Sequence, residues 1–185
     1  MRDSKISKNY AKSYFDLAVE EGVLETAHSD MKLIDNIIVS TRDFRLFLKN
    51  PIIKKKKKQV VISEIFGDQI SKLTLAFLDI IVKNNREEYI EGIAKEFIDK
   101  YRKLKNIKTA YLKTAVETDI YLKNKIIDIL EKQTKAEIDL IEEVDKNLIG
   151  GFVLTIDDKQ YDASILFKMK KLIKEFEENI YIRKF

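Results

Sequence analysis

The stretch YIEGIAKEFIDKYRKLKNIKTAYLKTAV, residues 89–116, holds the point at which the chain changes its structural period. Its first half places Tyr89, Ile90, Ile93, Ala94, Phe97, Ile98, Tyr101 and Leu104 at steps of one, three and four, the spacing of one helix face. Over residues 108–116 that spacing stops, and Thr, Tyr, Val and Ala fit an extended strand better. The boundary falls near residues 104–108 and predicts two domains, 1–105 and 106–185.

Upstream of the switch the helical spacing recurs. Tyr10, Ala11, Tyr14, Phe15 and Ala18 form one stripe, ended by Gly22. Leu24, Ala27, Met31, Ile34 and Ile38 form a second. Thr41 is placed to cap a short third helix carrying Phe44, Phe47 and Leu48, which Asn50-Pro51 stops. A fourth helix is predicted over residues 54–66 with Gly67 as its stop. A fifth carries Leu75, Leu78, Ile81 and Val82 and breaks near Asn84-Asn85. With the helix quoted above this makes six, whose stripes are buried only by packing on one another, so a six-helix bundle is expected.

Downstream, Thr118 is placed to cap a helix with Leu122, Ile126, Ile129 and Leu130 on one face. Ile138, Leu140, Glu142 and Val144 read as a second strand and residues 152–156 as a third. After a turn at Asp157-Asp158-Lys159, a last helix starts at Asp162 or Ser164, with Ile165, Met169, Leu172, Ile173 and Phe176 expected on its inner side. The fold class is therefore mainly α, a helical bundle followed by a small α/β domain.

Composition narrows the function. The 185 residues include no Cys, one His, five Gly and one Pro, with 36% charged residues. Disulfides and thiolate metal sites are excluded, and His28 alone builds no histidine cluster. The nearly apolar run over residues 73–82 is about ten residues long and contains Asp79, too short for a membrane span. The first residues carry neither an apolar signal core nor an Arg-rich, acid-poor transit pattern. A cytosolic chain that meets a membrane only through partners is expected. There is no phosphate-binding loop and no dinucleotide fingerprint. No Ser, His and Asp set is assembled around one histidine, so the chain is expected to be no enzyme and to hold no cofactor.

Three features stand out. Lys54, Lys55, Lys56, Lys57 and Lys58 point all round a helix, so at least one stem must lie along the protein with its head reaching for water. The run reads either as a solvated helix start or as an electrostatic contact for an acidic partner or the membrane surface, and it supports an alternative function in nucleic-acid association. Tyr10 and Tyr14 lie one helical turn apart, suited to a core or to a half-buried interface. Leu148-Ile149-Gly150-Gly151-Phe152-Val153 sets two glycines before a strand, where positive φ or close backbone approach is available.

That last string, a charged turn, and then Tyr161-Asp162-Ala163-Ser164-Ile165 resemble the C-terminal signature of the ATP synthase delta subunit family. The family includes the mitochondrial oligomycin-sensitivity protein. Residues 10–18, YAKSYFDLA, resemble the family's opening, and Phe77-Leu78 followed by Asn84-Asn85-Arg86 resembles its Phe-Leu run and Asn-x-Arg turn. Lys146 and Leu166 depart from the family's common Pro and basic residue. The resemblance spans nearly the whole chain. It implies a non-catalytic stator element on the cytoplasmic face of the bacterial inner membrane, linking the catalytic head to the peripheral stalk. The helical domain would bind N-terminal helices of the alpha subunits, and the C-terminal domain the peripheral-stalk b subunits. The implied alpha-binding groove lies between the first and fifth helices, with Tyr10, Ala11, Tyr14, Leu75, Leu78, Asp79 and Val82. Leu148, Ile149, Gly150, Gly151, Asp162 and Ser164 are the structural signature.

Overall fold

The structure, a computed structural model, describes residues 2–116 and 118–178. Within them the chain is mainly helical, with one small sheet, and divides into two compact units, Met1–Leu104 and Lys105–Phe185.

The first unit contains α1 (Arg2–Glu20), α2 (Leu24–Ser40), α3 (Arg42–Lys49), α4 (Lys55–Phe66), α5 (Lys72–Lys83), a 3-10 turn (Glu87–Tyr89) and α6 (Ile90–Lys105). The stripes converge on one core in which Ala11, Ala18, Ile34, Ile81, Val82, Ala94 and Phe97 are wholly shielded from solvent. The breaks have identifiable chemistry. Gly22 takes φ +68, and the Val23 N–H then reaches the Ala18 carbonyl at 3.0 Å, closing α1 with a left-handed C-terminal turn. Asn85, at φ +54, does the same for α5 through the Arg86 N–H and the Ile81 carbonyl. Gly67 instead stays helical at φ −53, so it ends α4 without that turn. Thr41 occupies the N-cap position of α3 but its hydroxyl makes no capping bond. His28 is settled by stacking on Tyr101, with ring centroids 3.8 Å apart.

The second unit contains β1 (Ile107–Thr114), α7 (Ile120–Thr134), β2 (Glu137–Val144), β3 (Phe152–Ile156), β4 (Lys159–Asp162) and α8 (Ile165–Glu178). The sheet order is β2-β1-β3-β4. β1 and β2 are parallel and joined through α7, as parallel neighbours require a crossover. β3 runs antiparallel to β1, and β4 antiparallel to β3 across the Asp157-Asp158 turn. The short strand β4 carries no strand signal in the sequence, because Lys159-Gln160-Tyr161-Asp162 has no apolar alternation.

Three expectations for this unit need correction. Asp119, not Thr118, is the N-cap residue of α7; the Thr118 N–H is spent on the Glu142 carboxylate at 2.8 Å. The face of α7 that packs on the sheet is Ile126, Ile127 and Leu130, while Leu122 and Ile129 are exposed. The stripe Ile165, Met169, Leu172, Ile173 and Phe176 has no inner side within this unit: it is exposed along its whole length.

Candidate docking surfaces

In the helical unit, α1 and α5 form an open groove of about 330 Å³ lined by Asn9, Tyr10, Ser13, Tyr14, Leu17, Phe77 and Ile80. The Tyr14 and Phe77 rings make its floor, stacked with centroids 4.2 Å apart and planes 14° apart. Tyr10 leans on Phe77 at 6.5 Å and accepts a 3.2 Å hydrogen bond from the Asn84 amide just past α5. Leu17 and Ile80, exposed in part, form apolar walls. Burial pushes the Tyr14 phenol above its ordinary pKa, so it stays protonated and able to donate.

The seven residues expected to form one groove do not share one surface. Tyr10 and Tyr14 line the groove, and Ala11 is buried behind them. On α5 the face toward α1 is Phe77 and Ile80. Asp79 lies on a different side and accepts a 3.3 Å hydrogen bond from Gln59 of α4. Leu75, Leu78 and Val82, which share that side of the helix, are not among the groove residues; Leu78 and Val82 are core. Sequence periodicity missed Phe77 and Ile80 because α5 is apolar almost all round and offers several stripes at once.

In the C-terminal unit, α8 presents Ile165, Met169, Leu172, Ile173 and Phe176 on one face, between 43% and 78% exposed. Large side chains repeating at steps of three and four, bare along 14 residues, form a continuous apolar stripe that water solvates poorly. The Gly150-Gly151 signature anchors the start of this helix. Gly151 holds φ +80, and a Cβ there would meet the Ala163 carbonyl oxygen at 2.5 Å. The Gly150 carbonyl accepts from the Ile165 N–H at 3.0 Å, and the Phe152 carbonyl from the Ala163 N–H at 2.9 Å. Asp162 accepts from the Ser164 N–H at 2.9 Å, and the Ser164 hydroxyl first and that N–H second hold its carboxyl below the usual range. Ser164 then caps α8 by accepting from the Phe167 N–H at 3.1 Å. Of the signature residues, Gly150, Gly151, Asp162 and Ser164 thus act on one junction, while Ile149 stays exposed and the Leu148 N–H closes the preceding turn on Asp145 at 3.1 Å.

The lysine run splits in two. Lys54, Lys55, Lys56 and Lys57 are exposed, but Lys58 is buried with its head inward rather than snorkelling to water. Its ammonium donates to the Leu48 carbonyl at 2.7 Å and to Glu87 at 2.6 Å. Lys55 donates to the Lys83 carbonyl at the end of α5. Two of the five lysines therefore serve the fold, and the nucleic-acid alternative finds no support. Among the described residues no group of three or more His, Asp or Glu is placed to hold a metal ion, and no helix is long and apolar enough to cross a membrane.

Comparison with known proteins places the whole chain. The family described as ATP synthase delta (OSCP) subunit matches residues 6–176. The ATP synthase subunit delta of Christiangramia forsetii is 33% identical over 184 residues, covering 100% of both chains. The chloroplastic ATP synthase subunit delta of Porphyra purpurea is 34% identical over 170 residues, 91% of each. A chain in the cryo-EM structure of the Toxoplasma gondii mitochondrial ATP synthase hexamer has the same fold, with a TM-score of 0.70 at 20% identity over 94% of this chain and 98% of that one.

Proposed function

Because the chain belongs to the ATP synthase delta (OSCP) subunit family, we propose that it is a non-catalytic stator subunit that ties the catalytic head to the peripheral stalk. Its work is mechanical. Rotor torque would carry the head round, and a link gripped at both ends resists it, so that rotation stays coupled to ATP synthesis and proton transport.

The observation that carries this reading is the pair of apolar docking surfaces, one on each unit. The α1/α5 groove has the shape and lining that accept one apolar helix face, and we assign it to an N-terminal helix of the alpha subunit. Tyr10, Tyr14, Leu17, Phe77 and Ile80 would touch that helix; Ala11, Leu78 and Val82 belong to the core of the unit, and Leu75 and Asp79 lie outside the groove. The bare stripe of α8 is assigned to the b subunits of the stalk, since helix-on-helix packing would bury its five large side chains at once. Residues 1–105 would thus hold the head and residues 106–185 the stalk, at the cytoplasmic face of the inner membrane, with no cofactor and no membrane contact of its own.

The test is calorimetric titration of the full chain with two synthetic peptides, one from the alpha N-terminus and one from the b C-terminus. Ile80→Ala should weaken only the first by about 1–3 kcal/mol, the range of interface hot spots. Leu172→Glu should abolish only the second. Loss of neither would overturn the assignment.

A further inference from the structure

Beneath the groove lies a polar chain in an otherwise apolar core. Asp30 of α2 is 6% exposed, Thr74 of α5 is 0% exposed and Tyr14 of α1 is 1% exposed. The Tyr14 hydroxyl lies 2.6 Å from Thr74 Oγ1. Thr74 Oγ1 lies 2.5 Å from the Asp30 carboxylate and 2.8 Å from Ser71 Oγ. The Ser71 N–H donates to the same carboxylate at 3.0 Å, and the Thr74 N–H donates to Ser71 Oγ at 3.2 Å.

Counting protons fixes the direction of every bond. The carboxylate only accepts, so the one Thr74 hydroxyl proton goes to Asp30. Thr74 Oγ1 must then accept from Tyr14, and also from Ser71, whose own oxygen is already accepting from the Thr74 N–H. Each hydroxyl has a single proton and each proton has a single destination. The chain therefore has one satisfied arrangement, running from α1 through α5 to α2. Its end at Asp30 sits at the N-terminus of α5, where exposed N–H groups favour a negative charge.

This arrangement does something that apolar packing alone would not. Two aromatic rings in a core gain about the same from an offset stack as from an edge-on contact. The neighbouring pairs here are tilted: Tyr14 with Phe97 at 40°, Tyr10 with Phe77 at 55°. Tyr14 and Phe77, between them, lie nearly parallel, 14° apart. A phenol tied at its oxygen has both ends of its long axis fixed, so the tether sets where the Tyr14 ring lies between α1 and α5, while packing on Phe77 sets its plane. The flat stack is the groove floor.

We propose that Asp30, acting through Thr74, is a positioning residue for the partner helix: it fixes the Tyr14 ring and the spacing of α1 and α5, so that the groove is formed before the helix arrives. Preformed grooves bind more tightly because no ordering remains to be done on contact. This rests on the reading of the α1/α5 groove as the alpha-subunit site, and goes beyond it by assigning residues that touch no partner.

The experiment uses the full chain and the synthetic alpha N-terminal peptide, with each variant confirmed folded by circular dichroism at the titration temperature. Thr74→Val keeps the shape and removes the relay; Thr74→Ser restores the hydroxyl; Tyr14→Phe keeps the ring and removes its tether to Thr74. Thr74→Val and Tyr14→Phe should each weaken binding by about threefold to tenfold, the worth of one buried hydrogen bond, while Thr74→Ser stays within about twofold of the unaltered chain. Ile80→Ala serves as the groove control. If Ile80→Ala weakens binding while Tyr14→Phe and Thr74→Val bind like the unaltered chain, the groove stands and the positioning role is wrong. If Thr74→Ser loses as much as Thr74→Val, the hydroxyl is not the cause and the inference is overturned. If Ile80→Ala, Thr74→Val and Tyr14→Phe all bind unchanged, the groove reading itself falls, and this inference with it.

Discussion

Lys58 and Glu87 form an ion pair 2.6 Å long in which the lysine side chain is 1% exposed and the glutamate 12%. The pair joins the first turn of α4 to the turn before α6, and the Leu48 carbonyl at the end of α3 takes a second ammonium proton. Three elements thus meet on one side chain from the most charged stretch of the sequence. Removing one partner of a buried pair leaves the other charge uncompensated, which costs more than the intact pair contributes. Lys58→Ala should therefore lower the unfolding free energy of the full chain by about 3–5 kcal/mol in urea titrations. Lys56→Ala and Lys57→Ala, both exposed, should stay within about 0.5 kcal/mol. Equal effects along the run would refute this division.

A second prediction concerns the paired glycines. Gly151 needs its missing side chain twice over, for φ +80 and for the close Ala163 carbonyl. Gly151→Ala should cost about 1–3 kcal/mol of stability, since strained backbone and displaced neighbour add. Gly150→Ala meets only the terminal methyl of Ile165, which can rotate away, and should cost less. Thermal melts of both variants, read side by side, check the order; a milder effect at Gly151 would contradict it.

Acid stability is set in part at Glu142. Hydrogen bonds from Lys123 and then from Thr118 hold its carboxyl down from an ordinary 4.5 to about 2. A carboxyl with a depressed pKa stabilises the fold above its unfolded pKa and loses that contribution as protons bind. The window is therefore pH 4.5 down to about 2. Glu142→Gln should melt below the unaltered chain at pH 7, with the gap closing across that window. A gap that is the same at pH 7 and pH 2.5 would show that the charge is not responsible.

The element order was legible because the helical stripes are clean and because β1, the first strand, lacks helical spacing altogether. What each face packs against was less legible. On α5, apolar residues surround the helix, so steps of three and four were satisfied equally by Leu75, Leu78 and Val82 and by the Phe77 side. Only the position of α1 decides between them. On α8 the period is sharp, but amphipathicity reports that a face wants burial and not what buries it. Asp30 shares a face with Ala27 and Ile34 on α2, one acid within an apolar stripe. Its meaning depends on Thr74, 44 residues away, and no local pattern carries that. Lys58 was lost in the same way among four solvated neighbours.

The central claim is that one chain is gripped at two places at once. Sedimentation of the full chain with the alpha N-terminal peptide and the b C-terminal segment, alone and together, tests it most directly. The account predicts a ternary complex in which each ligand binds with the affinity it has in the other's absence. Mutual exclusion of the two ligands, or binding of one alone at every concentration, would contradict it.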